Sequence, residues 1–467
     1  MTPILIDIPW HDPLDAAHGL LTQPETGAAF RLALVGRGSH PLARWSYLCG
    51  TPVAVRQWRA GDAGGPLDGL EARLTAAGVR LHPDGPPFQG GWAGLAAYEL
   101  GGAFERLPRP AAPPGADWPD LLLGLVDTIA AFDSVAQRAM VLSVGLDADG
   151  RPDPELAAAR AQALADTIAA TRPVSRPGPP AGMRLEPVQD SASIEAAVAR
   201  TVAWTHAGDI YQANISRRLS GQLPQGAEPG DLFHALMSRH PAPFGACLVA
   251  GNLALVSHTP ERFVTCRADG TVETRPIKGT RPRQTDPAAD AAEAAQLRAS
   301  IKDRAENLMI VDLMRNDLAR VCEPGSVKVP RLFALESFST VHHLVSDITG
   351  QLRAGRGAFD LLAATFPPGS VTGAPKVRAM QIIAELEQEP RGPYCGAMLW
   401  AGWDGALDSS VLIRTAALVR QDSGGWRVDV RAGGGIVADS DPAAEHAEMQ
   451  VKARALVETL ARMAAAP

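Results

Sequence analysis

The sequence predicts a globular chain of mixed strands and helices with a substantial core. Three observations carry this expectation. The 467 residues are 46% hydrophobic and 20% charged, a globular balance, and the length favours two or three domains or one large fused unit. Two apolar runs, 88–101 (FQGGWAGLAAYELG) and 120–133 (DLLLGLVDTIAAFD), mix glycine with aromatic and aliphatic residues, as buried strands in close backbone contact do. Asp-Pro and serine start signals then open several helical runs.

Taken in order, 88–101 and 120–133 are the strand candidates, and the alanine-rich 154–171 is a helix candidate. It leads into TRPVSRPGPPAG (171–182), a Pro/Gly stretch that neither a helix nor a central strand tolerates. This linker candidate divides an N-terminal region, 1–180, from a C-terminal one, 181–467. Beyond it, Ile194, Val198 and Val202 mark an amphipathic helix, with Ser191 or Ser193 as cap and Gly208 as stop. In IYQANISRRL, Tyr211, Ala213 and Ile215 alternate with Gln212, Asn214 and Ser216, which predicts a strand whose polar row needs a wet cleft or solvent. Asp286-Pro287 opens a helix running to about Cys322, long enough to accommodate a break. Asp439-Ser440-Asp441-Pro442 starts another that runs nearly to the end.

Charge and composition exclude several functions. Lys+Arg is 44 against Asp+Glu 51, a formal charge of -7, so no basic field invites nucleic acid or anionic lipid. The longest apolar run, 121–132, is broken by Gly124, Asp127 and Thr128, which predicts no membrane span. The N-terminus MTPILIDIPWHDP lacks the basic region of a signal peptide, and a cytoplasmic location is expected. Cys49, Cys247, Cys266, Cys322 and Cys395 form no CxxC pair, which argues against a disulfide framework or a zinc site and for buried small hydrophobes.

Asp303 and Glu306 are three apart on one helix, and Glu445 and Glu448 three apart on another, so each pair projects from one face. Two such faces suit one Mg²⁺, whose shell takes oxygen ligands and keeps waters; acidic pairs on solvated helices are also commonplace. Lys452 lies two turns beyond Glu445, placed to hold a carboxylate or to make an ordinary helix salt bridge. Gly433, Gly434 and Gly435 allow close backbone approach to an anion, or a tight turn. In RPIKGTRPR, like-charge neighbours and burial would make Lys278 nucleophilic, whereas a solvated loop would leave it inert. His342, His343 and Arg414 carry no spacing signal of their own.

The strings DIYQANISRR, PIKGTRPR, KDRAENLMIVDLMRNDLARVC, VHHLVSDITG, FPPGSVTGAPKVRAM, SSVLIRT and AGGGIVADS, in this order from Asp209 onward, resemble the chorismate-utilising enzymes. The resemblance implies an α+β fold of two large antiparallel sheets packed together with helices outside. The N-terminal region would be intertwined with the chorismate-binding region, making the linker a seam. It also implies that Glu306 and Glu448 match magnesium carboxylates, with Asp303 and Glu445 at neighbouring acidic positions. Lys452, Gly434 and Gly435 match groups around the substrate carboxylates, and Arg414 and Tyr394 match the pair holding the enolpyruvyl carboxylate. His343 and Ser370 match ring positions, where many relatives carry threonine in place of this serine. Gln212, Gly279 and Thr280 are expected around the substrate as well.

Within that family, isochorismate and salicylate synthases resemble one another in carrying a lysine where this strand has Gln212; glutamine has no titratable proton with which to activate water. Anthranilate enzymes typically read PIAGT, whereas PIKGT, with Lys278, resembles the aminodeoxychorismate synthases. The resemblance therefore implies amination of chorismate at C4, with Glu261 of the PERF string as acid and base, Lys278 as nucleophile and His343 at the ring. Nothing resembles a glutaminase segment, so the implied partners are chorismate, ammonia and a separate glutamine amidotransferase subunit, in the service of p-aminobenzoate and folate synthesis. Release of p-aminobenzoate would need another protein. Where anthranilate synthases often show Leu-Leu-Glu-Ser, this chain reads ARWSYLCG around Trp45 and Ser46, which weakens an expectation of tryptophan inhibition while leaving room for a pocket. The rival readings are an anthranilate synthase component, which would release pyruvate, and an inactive ligand-binding relative.

Overall fold

A computed structural model describes residues 1–23, 30–112, 118–174, 183–337, 341–422 and 424–463. Two antiparallel sheets dominate it. The first runs Ile4–Ile8, Arg138–Ser143, Thr128–Asp133, Trp45–Cys49, Phe30–Val35, Phe244–Ala250, Leu253–Thr259, Thr415–Arg420, Trp426–Ile436, Gln212–Gln222 and Gly373–Ala374. The second runs Ile277–Pro282, Val341–Gln351, Thr271–Thr274, Arg262–Cys266, Leu407–Val411, Ala397–Gly402, Gly91–Ala96, Leu121–Val126 and Ala54–Trp58, with Lys328–Ser337 also paired to Val341–Gln351.

Strands from both sides of the expected linker join each sheet, through Phe30–Val35 against Phe244–Ala250 in one and Gly91–Ala96 against Ala397–Gly402 in the other. Of the expected linker, 171–182, residues 175–182 lie outside the described residues.

The inner faces meet in a core that includes Leu32, Tyr47, Leu95 and Met398. The outer face of the first sheet is covered by helices Pro13–Leu21, Pro154–Ala169, Pro229–Arg239 and Pro442–Arg462, which contribute Leu14, Leu164, Phe233 and Leu456. Helices Leu70–Ala76, Ile301–Ala319 and Ala358–Thr365 cover the second through Leu74, Ile310, Met314 and Leu362. At about 25 cal/mol per Å² of apolar surface removed from water, these layers supply the main stabilising term. All five cysteines are buried and free. No helix among the described residues is long and apolar enough to cross a membrane.

The expected elements appear with informative differences. The 120–133 run is two strands, because the chain leaves one sheet at Val126 and enters the other at Thr128. Buried Asp127 occupies that corner, accepting from the Leu146 amide at 2.6 Å and pairing with Arg160. The helix Ser191–His206 is capped by Asp190, not by either serine; its carboxylate accepts the Ser193 amide at 2.8 Å, where an anion also meets the positive helix end. Tyr211 is exposed just ahead of its strand, and Ile210 is the buried neighbour instead.

The run from Asp286 breaks at Ser300, whose extended backbone ends helix Pro287–Ala299 and whose hydroxyl caps Ile301–Ala319. Just past that break, Asp303 lies against Gly279 of Ile277–Pro282, the strand at the second sheet's edge.

Candidate active site

Two crossings between the sheets create the site. One, at Pro260-Glu261, joins Leu253–Thr259 to Arg262–Cys266; the other, at Leu412-Ile413-Arg414, joins Leu407–Val411 to Thr415–Arg420. They are tied together, since the Val411 amide donates to the Glu261 carbonyl at 3.0 Å and the His258 amide to the Arg414 carbonyl at 3.3 Å. Side chains at these corners escape the pleat of either sheet and open onto a cavity of about 540 Å³.

Lys278 reaches the same cavity by a backbone irregularity. Ile277 pairs with Val345 and Thr280 with His343, so Lys278 and Gly279 together oppose Leu344. This is a β-bulge, and Gly279, at φ +83°, supplies the left-handed residue that turns Lys278 off the sheet. The basic loop of the sequence reading is thus an edge strand with one lysine turned inward.

The cavity wall contains Glu261, Lys278, Gly279, Thr280, His343, Ser370, Tyr394, Arg414, Gly435 and Lys452, together with Asp303, Glu306, Glu445 and Glu448. Gly434 sits just behind, a Cβ built there lying 2.9 Å from Glu445 Oε2. Gln212 is fully buried, its amide packed on Gly435; neither polar end has a hydrogen-bond partner among the described residues. Of its polar row, Asn214 lines the cavity while Ser216 is buried against Glu387 at 2.8 Å, so most of the row is enclosed and only part meets a cleft. Sequence reading missed Lys302 and Arg431, and took Arg281 only as a like-charge neighbour of Lys278. Lys302 carried one usable signal, its place beside Asp303 in the first turn after a serine cap.

The glycines are required by contact. A Cβ on Gly433 would lie 2.5 Å from the Ile215 carbonyl oxygen and 2.9 Å from Tyr394 Oη, and one on Gly435 would strike the Gln212 amide at 2.8 Å. The strand Trp426–Ile436 can pass between its neighbour and the cavity only without side chains here.

Electrostatics divide the wall into roles. Burial raises the Glu261 carboxyl above its ordinary value, against the hydroxyl of Ser370, which donates to Oε1 at 2.5 Å, and the nearby Lys278 and Arg414. Burial lowers the Lys278 ammonium, Lys452 adding to the effect while Glu306 and Glu261 oppose it. His343 is depressed to about 4, mainly by burial, so its ring is neutral near pH 7; Nδ1 and the Thr280 hydroxyl are 2.9 Å apart. Its neighbour His342 is a satisfied interior residue, between Ser337 and Asp290.

Lys452 makes the helix salt bridge, pairing with Glu448 at 2.8 Å, and also donates to the Gly433 carbonyl at 3.0 Å. Burial alone would raise Glu448, but Lys452 holds it below its usual value. Asp303 accepts from Arg281 at 3.1 Å, and Glu445 from Ser440 at 2.7 Å.

Among the described residues, no three His, Cys, Asp or Glu side chains converge as a ready-made metal cage. The donor chemistry still fits a hard cation that keeps waters. Glu306 is raised by burial, and Asp303 and Glu445 add to this against Lys278 and Lys302. Such crowded carboxylates, Glu306 and Glu448 facing one cavity from two helices, suit Mg²⁺ with water and a substrate carboxylate completing its shell.

The same stretch ARWSYLCG that departs from the anthranilate pattern lines a second cavity of about 600 Å³ between the sheets, beside Arg44, Trp45 and Tyr47.

A family profile described as chorismate binding enzyme matches residues 43–458. Aminodeoxychorismate synthase component 1 of Salmonella typhimurium is 40% identical over 461 residues, covering 96% of both chains. Anthranilate synthase component 1 of Streptomyces coelicolor is 39% identical over 472 residues, covering 97% of this chain and 87% of that one. In structure, anthranilate synthase component I from Streptococcus pneumoniae superposes with a TM-score of 0.77 at 28% identity, covering 93% of this chain and 95% of its own.

Proposed function

The chain belongs to the chorismate-binding enzymes, and on that premise we propose that it aminates chorismate at C4, giving 4-amino-4-deoxychorismate as an aminodeoxychorismate synthase component 1 does. Overall identity does not separate this reading from anthranilate synthesis, because relatives of both names stand at 40% and 39%. The observation that carries it is Lys278, an amine with its basicity lowered by burial, turned by a bulge into the cavity that also holds Glu261.

The chemistry follows from those two groups. Neutral Lys278 Nζ attacks C2 while protonated Glu261 gives its proton to the C4 hydroxyl, which leaves as water as both conjugated ring double bonds shift, from C1=C2 and C5=C6 to C1=C6 and C4=C5. Ammonia then forms a bond to C4, both double bonds shift back to C1=C2 and C5=C6, and the C2–Nζ bond breaks to free Lys278. Glu261, now a carboxylate, takes the proton that the added ammonia must lose. The sum is chorismate plus ammonia giving the amino product plus water. Burial prepares both partners, since it favours the neutral form of an acid and of an amine alike.

Arg414 and Tyr394 hold the enolpyruvyl carboxylate, and Lys452 with the Gly434–Gly435 backbone flanks the ring carboxylate. Glu306 and Glu448, with Asp303 and Glu445 nearby, would hold Mg²⁺, which would supply positive charge to offset the substrate carboxylate. Ammonia comes from a glutamine amidotransferase subunit or from solution.

The test mixes purified chain, chorismate, Mg²⁺ and an ammonium salt at mildly alkaline pH, with and without an aminodeoxychorismate lyase. The expected product retains its pyruvyl group and becomes p-aminobenzoate only with the lyase. Direct release of anthranilate and pyruvate refutes the assignment.

A further inference from the structure

His258 is a buried imidazole in the middle of the site's scaffold, 3% exposed and three residues before Glu261. Its Nδ1 lies 3.0 Å from the backbone carbonyl oxygen of Arg414. A carbonyl only accepts, so Nδ1 carries the proton and Nε2 is a bare lone pair. That Nε2 is buried and has no hydrogen-bond partner among the described residues. The ring's polar chemistry is therefore spent on one contact.

The recipient is unusual. Arg414 has φ +51°, a left-handed conformation that is strained for a side-chain-bearing residue and persists only where its surroundings impose it. Two donors from His258 converge on its carbonyl, the backbone amide at 3.3 Å and Nδ1 at 3.0 Å. The flanks are also pinned. Ser257 and Thr415 share a hydroxyl contact at 2.8 Å, and Thr415 Oγ1 donates to the Ile413 carbonyl at 2.9 Å. With its carbonyl drawn back toward the first sheet, Arg414 sends its guanidinium toward the cavity.

We propose that His258, as its Nδ1–H tautomer, is a positioning residue that clamps the strained Arg414 backbone and so sets where the guanidinium meets the substrate carboxylate. The inference rests on the reading of Arg414 as a carboxylate anchor. An anchor used equally in ground state and transition state shows itself in KM, with kcat nearly unchanged.

Two amide replacements separate a clamp from a space-filler. In His258→Asn the side-chain amide nitrogen takes the place of Nδ1, and in His258→Gln it takes the place of Nε2. The clamp predicts that His258→Asn keeps the chorismate KM within about twofold, while His258→Gln raises it about tenfold at similar kcat, the order of one buried hydrogen bond. Adding His258→Gln to Arg414→Met should then change KM no further, because the residue acted upon is gone.

Equal behaviour of the Asn and Gln variants overturns the proposal, as does a Gln effect that persists in the Arg414→Met background. If Arg414→Met itself leaves KM unchanged, the anchor reading fails first and the clamp with it. Thermal denaturation accompanies each variant. Should His258→Gln fail to fold, His258→Asn decides alone, a KM near the native value supporting the clamp and a tenfold rise refuting it.

Discussion

Gly279→Ala tests whether the bulge, and not merely the presence of a lysine, makes the site. An alanine at φ +83° costs about 1–2 kcal/mol. Its Cβ would also stand 2.9 Å from Leu297 Cδ1 and 3.0 Å from Asp303 Cβ, an overpacking worth about 1–3 kcal/mol. Held in place, the substitution would therefore cost about 2–5 kcal/mol in all.

The strand Ile277–Pro282 is at the end of its sheet, so local rearrangement is cheaper than global strain. Flattening the bulge restores a regular ladder and turns Lys278 toward the other face. The expected result is a loss of stability of only about 1–2 kcal/mol with a fall in kcat of at least about 10²-fold. Thermal denaturation reads the first, steady-state turnover the second, and intact-protein mass after brief exposure to chorismate reads the covalent adduct, which should vanish. A variant that melts lower yet turns over and forms the adduct normally would refute the link between the bulge and catalysis.

Four further outcomes are expected. Lys278→Ala should fold, bind chorismate and show no adduct by mass spectrometry; a surviving adduct would assign the nucleophile elsewhere. Ser370→Ala removes a donor that favours charged Glu261, so the pH–rate limb belonging to that carboxyl should move upward, and an unmoved or lowered limb would contradict its role. Glu261→Gln should lose more than about 10²-fold in turnover while changing the pH dependence of stability: the native carboxyl lies above its unfolded value, so the native protein loses stability as pH rises between the two, and chemical denaturation across that window should show this slope in the native protein and not in the variant. Mg²⁺ affinity, followed calorimetrically with chorismate present, should fall as pH drops through the raised range of Glu306 and should be weakened by Glu306→Gln; pH-independent affinity would place the cation elsewhere.

Local signals were legible wherever a residue acts on its own backbone neighbours. Asp286 and Asp441 cap helices that begin at Pro287 and Pro442, as their Asp-Pro signals imply. Ser300 shows why the long helical run is two helices, since a serine hydroxyl competes for the next turn's amides. Asp190 was hidden by two adjacent serines, because composition cannot say which oxygen reaches Ser193. The polar row from Gln212 misled more deeply. Alternation reports that one face differs from the other, and whether that face is wet depends on Gly435 and Glu387, which are distant in sequence, Glu387 being 171 residues from Ser216.

The site was legible as residue types and illegible as an arrangement, and the reason lies in where the sheets exchange strands. Glu261 and Arg414 acquire their directions from corners between sheets, and those corners exist only because the strands Gly91–Ala96 and Phe30–Val35 complete the layers behind them. Lys278 acquires its direction from one left-handed glycine whose neighbours, Leu297 and Asp303, come from two different helices. Removing the N-terminal strands would therefore leave every site residue in the chain and remove the geometry that lowers one amine and raises one carboxyl. A C-terminal fragment, 181–467, should accordingly fail to fold and bind chorismate by itself. If that fragment turned over chorismate, the crossings would not need the shared sheets, and the account of how Glu261 and Arg414 are aimed would be wrong.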